Sequence, residues 1–363
     1  MPRPALVRPS VRPYVGTLAL TLVAGAASRA TAQASHDRGM DGMAGMGGSS
    51  PATSTARARP APAPAYRAEL ERQLAVVRAN TARYRDLDSA KADGFVRFVG
   101  DEVPLMGEHW YRKGVPEPPP GTPVDRRVDL AHPTTLQYAT IDGRHVLVGV
   151  AYSARLAPGE PLPEGFAGPE DHWHQHDVLK FFAAATEDRP FLRWIGNRWL
   201  DHALRDRGDD RSLLTMVHAW VWLDNPDGVF AMDHRALPYL RAGLPAGWTD
   251  RALGGDRDAA LGVSLLPKDG CRQAVKGPLW IAHASKAQAQ AVGDACRDAA
   301  ARVARAVTAS ADPRAVNAEA GAAWRAFDAA RRAALTPHQL ERIAAVTEHA
   351  MAAESHDMAG MHP

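Results

Sequence analysis

The sequence predicts an α+β fold: an antiparallel sheet core flanked by helices, followed by an α-helical C-terminal segment. Three observations predict it. Two β-rich runs, Leu136 to Ile141 and Arg144 to Ala154, are joined by Asp142-Gly143, and Asp-Gly between such runs is a strong hairpin signal. Leu213 to Leu223 alternates, with Met216, His218, Trp220 and Trp222 on one face and Val217, Ala219, Val221 and Leu223 on the other; this is the period of a strand. From Ser285 onward the chain is rich in alanine, the best helix former, and carries three helix starts in succession.

The remaining elements follow in order. Leu70, Leu74, Val77, Thr81 and Tyr84 recur at spacings of three and four between charged residues, predicting a helix over Tyr66 to Ser89. Gly94 and Gly100 break that pattern. Pro104 to Trp110 reads as a loop end, and the proline-rich run from Pro116 to Pro123 as a surface loop. After the hairpin, Asp171-His172-Trp173-His174-Gln175-His176 places a histidine at every second position. Val178 to Ala185 reads as a strand continuing it, and Phe191 to Arg205 as a helix. Asn225-Pro226-Asp227-Gly228 is a turn: proline presets its own φ, Asn caps, and glycine tolerates positive φ. The C-terminal helices start at a Ser285/Gln288 capping box, at Asp312-Pro313, and at Thr336-Pro337 with Gln339.

The ends of the 363-residue chain have a different character. Residues 1–34 read as a secretory signal, with Arg3, Arg8 and Arg12, an apolar run from Gly16 to Ala27, and Ala32-Gln33-Ala34 as cleavage site. That run is too short to span a bilayer, and no later stretch reaches the length needed, so no integral membrane span is expected. Residues 35–65 read as a disordered Met/His tail and Pro/Ala linker. Residues 66–255 form the α+β core with the histidine cluster, 256–350 a disulfide-stapled helical region, and 351–363 a second disordered Met/His tail. The expected location is the periplasm or the exterior, after cleavage near Ala34. In that setting the only two cysteines, Cys271 and Cys296, are expected to pair. The net charge of +2, with no basic stripe among aromatics, argues against nucleic acid as a partner.

The candidate chemistry is metal binding. Neutral imidazole is the commonest transition-metal ligand side chain. On a strand, His174 and His176 share a face, and His218 and His109 come from neighbouring segments; these four are the expected metal ligands. His172 and His234 are further candidate ligands. Isolated histidines such as His132, His145 and His202 are read as packed or hydrogen-bonded. Glu108 and Asp171 are candidates for ligand, orienting partner or general base. Trp110, Trp173 and Trp220, close in sequence to these histidines, are expected to wall the site. In the tails, His36, Met40, Met43, Met46, His356, Met358, Met361 and His362 combine thioether and imidazole, a donor set suited to copper, and Met-Ala-Gly-Met occurs at 43–46 and again at 358–361. Copper or zinc is the expected cofactor, with iron a further transition metal compatible with the set. No His-Glu-x-x-His, Gly-x-Ser-x-Gly or phosphate-binding glycine loop is present.

Met106-Gly107-Glu108-His109-Trp110, Trp173-His174-Gln175-His176 and His218-Ala219-Trp220-Val221-Trp222 with Asn225-Pro226-Asp227-Gly228-Val229-Phe230 resemble a group of uncharacterised exported bacterial proteins. That group shows Met-Gly-x-His-Trp, Trp-His-x-His and His-x-Trp-x-Trp-x-x-Asn-Pro-x-Gly-x-Phe in the same order. The likeness covers about residues 104–234 and implies a shared site. The cysteine that such sequences often carry soon after Trp-His-x-His is replaced here by the Val178-Leu179-Lys180 region. His-x-His with a later histidine is also similar to the cupin pattern, but the Glu expected a few residues on is absent.

The expectation is an exported metal-binding protein for copper binding, delivery or tolerance. Two alternatives stay open: a metal-dependent hydrolase or oxygenase with a three-histidine open site, and a metal-free module whose Trp-rich sheet face grips a ligand. The alanine-rich C-terminal helices offer a face for a homodimer.

Overall fold

The structure, a computed structural model, describes residues 64–97, 102–112, 127–157, 159–177, 183–195, 198, 213–245, 248, 256–267 and 270–350. Helix α1 (Pro64–Thr81) is followed by a 3-10 turn (Ala82–Arg85) and α2 (Leu87–Ala92). Strands β1 (Phe95–Arg97), β2 (Glu108–Arg112), β3 (Thr135–Ile141), β4 (Arg144–Leu156), β5 (His174–Asp177) and β6 (Leu213–Ala219) come next. They form one six-stranded antiparallel sheet in the order β1-β2-β3-β4-β6-β5. Helices α3 (Leu237–Arg241), α4 (Arg257–Val263), α5 (Gly270–Ile281), α6 (Lys286–Ala309), α7 (Pro313–Ala334) and α8 (Pro337–Ala350) complete the chain. The α+β class is the one the sequence predicts.

The β3–β4 hairpin turns on Asp142 (φ 50°) and Gly143 (φ 71°). Both central residues are left-handed, as a two-residue turn matching strand twist requires. The register slips at Gln137/Tyr138, leaving Val148 as an extra residue on β4. Such a bulge bends the strand.

The sheet has two unlike faces. On one, Leu136, Tyr138, Val150, Tyr152 and Val217 pack against Leu70, Leu74 and Val77 of α1, with Trp110, Phe166, Trp173 and Phe230. The apolar spacing of α1 exists to cover this face. On the other, Ala139, Val148 and Trp220 pack against Leu237 of α3. The helical core of α4, α5, α6 and α7 takes in Leu105, from the loop before β2, and Tyr239 of α3. The same loop is held to α3 by a buried ion pair, Arg241 Nε to Glu102 Oε1 at 2.8 Å. Ile343 and Val346 of α8 pack with Ile281, Leu335 and Ala185, and α8 lies beside β5.

All three C-terminal caps form as the sequence predicts. Ser285 and Gln288 make a reciprocal box, Asp312 caps α7 ahead of Pro313, and Thr336 and Gln339 bond each other's backbone. Cys271 of α5 and Cys296 of α6 lie at disulfide distance, with Cα atoms 5.6 Å apart. Among the described residues, no helix is long and apolar enough to cross a membrane.

Four local expectations change. The helix expected over Tyr66 to Ser89 is α-helical only to Thr81; a 3-10 turn follows, and Asp86, in extended conformation, caps a separate helix from Leu87. Residues 183–185 are helical rather than the end of a strand, because Ala185 docks on α8 instead of extending the sheet. His109 lies inside β2 rather than at a loop end, paired with Gln137. The β6 strand stops at Ala219: Val221 N turns back to the Ala219 carbonyl, and Trp222 and Leu223 both donate to the Val148 carbonyl. The alternation therefore fails beyond Trp220. Trp222 packs with the α1 core and donates to Thr81 Oγ1 at 3.0 Å, leaving the face of His218.

Candidate functional site

Antiparallel register carries a band of residues across one sheet face. His109 of β2 opposes Gln137 of β3, which opposes Gly149 of β4. Two residues along β4, Ala151 opposes His218 of β6, and Met216 of β6 opposes His174 of β5. Opposed residues share a face, so five strands contribute to one strip. The β4 positions are small, which leaves room for rings from both sides. A Cβ on Gly149 would lie 2.9 Å from both the Ala219 carbonyl and Gln137 Oε1.

The rings meet over that gap. The β2 and β6 backbones are separated by two strands, or roughly 14 Å at normal spacing. Yet the His109 and His218 ring centroids are 5.5 Å apart, and those of His174 and His218 are 5.0 Å apart with planes at 82°. His218 and His174 are buried, and His109 half-buried. His218 Nδ1 lies 3.3 Å from the Met232 carbonyl, and its Nε2 lies 3.3 Å from Met216 Sδ.

These spacings suit a shared cation. A metal–nitrogen bond is about 2.0–2.1 Å, which puts each ring centroid roughly 3.2 Å from the ion; two imidazoles in a tetrahedral set then have centroids about 5.2 Å apart. The observed 5.0 and 5.5 Å bracket that value. Among the described residues, no three His, Cys, Asp or Glu donors are already gathered at holding distance. The arrangement is a set of neighbouring rings with a thioether beside the central one.

The other expected residues divide. His176 lies on β5 in register with Leu214, and its side chain is outside the described set. His172 is exposed ahead of β5. His234 is fully buried, but Trp220 stands between it and His218: the Trp220 ring is 4.9 Å from His234 and 6.4 Å from His218. Burial pushes the His234 pKa down to about 4, so its ring is neutral, and among the described residues neither ring nitrogen makes a well-formed hydrogen bond. The tail residues His36, Met40, Met43, Met46, His356, Met358, Met361 and His362 lie outside the described residues, as do residues 1–34, the proline-rich run and His202.

Neither carboxylate faces the band. Glu108 precedes His109, so the pleat turns it to the opposite face. There it accepts from Trp110 Nε1 at 3.1 Å and lies 3.0 Å from Arg97 and 3.3 Å from His145. Asp171 accepts from Phe166 N at 3.1 Å and Trp173 Nε1 at 3.3 Å, bracing the loop before β5. Burial lifts its pKa to about 6. Trp110 and Trp173 likewise belong to the α1 core, so only Trp220 borders the histidines. His132 bonds Asp129 at 2.8 Å, as expected of an isolated histidine.

Two residues that sequence reasoning left out belong to the band. Met216 is one, although the alternation of β6 already put it on the face of His218. Gln137 is the other. Its side chain is fully buried, and among the described residues neither amide atom has a hydrogen-bond partner, which is costly for a carboxamide. Its only sequence signal was a polar residue inside the run Leu136-Gln137-Tyr138-Ala139.

No family model, curated protein or solved structure matches the chain.

Proposed function

We propose that this chain is an exported metal-binding protein that serves copper binding, delivery or tolerance. The core band of His109, His174 and His218, with His176 on the same strand as His174, binds a transition metal, copper or zinc. The Met/His segments at both ends gather copper. One observation carries the reading: the His218 ring lies 5.5 Å from that of His109 and 5.0 Å from that of His174, each close to the spacing of two imidazoles on one ion. The leader-like residues 1–34 and the paired cysteines support export.

The test is metal content. Full-length protein is loaded with copper or zinc, dialysed exhaustively and analysed by elemental spectrometry beside a His174→Gln/His218→Gln variant. The expected result is one equivalent fewer in the variant at an unchanged circular dichroism spectrum. Equal stoichiometry in both refutes a core site.

A second reading is a metal-dependent enzyme, a hydrolase or oxygenase, with one position open. What favours it is Gln137: its unpartnered carboxamide, on the face of His109, is suited to hold a water or small oxygen ligand beside a metal. Glu108 and Asp171, engaged elsewhere, do not offer the base such chemistry needs.

A further inference from the structure

We infer that Met216 is a thioether ligand in the histidine band, which makes the core a Cu(I) site; this rests on the metal-binding reading above. Met216 is doubly placed. It is the register partner of His174 and lies two residues from His218 on the same strand. Its sulfur is 3.3 Å from His218 Nε2.

The contacts of His218 suit a cation beside Nε2. The Met232 carbonyl lies at Nδ1 and the Met216 sulfur at Nε2, and both are acceptors. A neutral imidazole carries one N–H. The carbonyl is much the stronger acceptor, so the proton belongs on Nδ1. The Nε2 lone pair then faces the sulfur, and one metal ion can accept from both atoms. The Nδ1–H···O=C bond is also the usual second contact of a metal-ligating histidine.

The distance fits. With metal–nitrogen and metal–sulfur bonds of about 2.0 and 2.3 Å, a separation of 3.3 Å corresponds to an angle of roughly 100° at the metal, close to tetrahedral. A neutral thioether is a poor ligand for Zn(II) and a good one for Cu(I). Histidines with one methionine, largely removed from water, therefore select Cu(I). The proposed tail donors have the same softness, so the ends and the core handle one oxidation state.

The experiment uses the full chain with 13C-methyl methionine, followed by NMR. Met216→Leu, which keeps nearly the same volume, identifies the Met216 resonance. Under nitrogen, a Cu(I)–acetonitrile complex or Zn(II) is added to one equivalent. The expected result is a Met216 methyl shift that saturates at one equivalent of Cu(I) and is absent with Zn(II). In competition with a Cu(I) chelator, Met216→Leu loses at least tenfold in Cu(I) affinity, while zinc affinity stays within twofold. If the Met216 resonance stays put while His174→Gln/His218→Gln still removes bound metal, Met216 is packing beside a histidine-only site; the inference fails and the metal reading stands. If only the other methionines shift and the double histidine variant binds as wild type does, both fail.

Discussion

Gly107→Ala is the substitution that bears most directly on how the band is built. Gly107 lies two residues before His109, at a bridge with Val103, where it adopts φ 76°. A Cβ there meets the Tyr138 carbonyl well inside van der Waals contact, and that carbonyl is backbone of the neighbouring strand. Two costs add. The left-handed conformation costs a non-glycine residue about 1–2 kcal/mol, and overpacking against rigid backbone costs about 1–3 kcal/mol. The expected loss is therefore about 2–5 kcal/mol. Gly94→Ala is the matched control: its φ is 86°, with nothing within 4 Å of the added methyl. It bears the conformational cost alone, and the unfolded-state gain of Gly→Ala cancels between the two. Urea unfolding of both, with slopes compared, isolates the steric contribution. The β2–β3 pairing must also shift to admit the methyl, so Gly107→Ala is expected to weaken core metal binding while Gly94→Ala leaves it unchanged. Equal destabilisation by the two substitutions refutes the claim that close backbone approach at Gly107 seats His109.

Replacing Cys271 and Cys296 together with Ser opens a loop spanning a sequence separation of 25. In the chain-entropy model this costs about 3.5 kcal/mol, read as a lower urea midpoint; an unchanged midpoint shows that the bridge does not constrain the unfolded chain. Asp171 makes stability depend on pH. Its folded pKa is raised from 3.8 to about 6 by burial, so the folded state holds the extra proton between those values. Its contribution is fully present below the lower value and is lost as pH rises through the higher one, by up to about 3 kcal/mol. Asp171→Asn is expected to remove that slope, measured by urea melts at pH 4 and pH 7; parallel profiles for variant and wild type contradict the assignment.

The legible parts of this chain were those coded locally. Asp142-Gly143 specified a hairpin because only a few residue types accept left-handed φ twice in succession. Ser285, Asp312 and Thr336 specified helix starts because a capping side chain satisfies a donor two or three residues away. The apolar spacing of α1 specified a buried stripe, and the alternation of β6 put Met216 and His218 on one face. The strand character of His174-Gln175-His176 was local too.

What the sequence could not state was which strands lie side by side and where each one ends. Alternation gave β6 a face but not a last residue. Its end at Ala219 is set by Val148, whose carbonyl draws in the amides of both Trp222 and Leu223, and so Trp222 crosses to the α1 side. Glu108 and Asp171 were plausible partners for histidines by proximity along the chain. The pleat turns Glu108 away from His109, and Asp171 is taken up by Phe166 and Trp173. The joining of His109, Gln137, Met216, His174 and His218 into one strip depends on the order β2-β3-β4-β6-β5 and on its registers. The sequence by itself determined the donors, the hairpin and the caps, because those depend on bonds a few residues long. Only the tertiary structure decided which donors meet, because pairing between strands distant in sequence is fixed by burying both sheet faces at once.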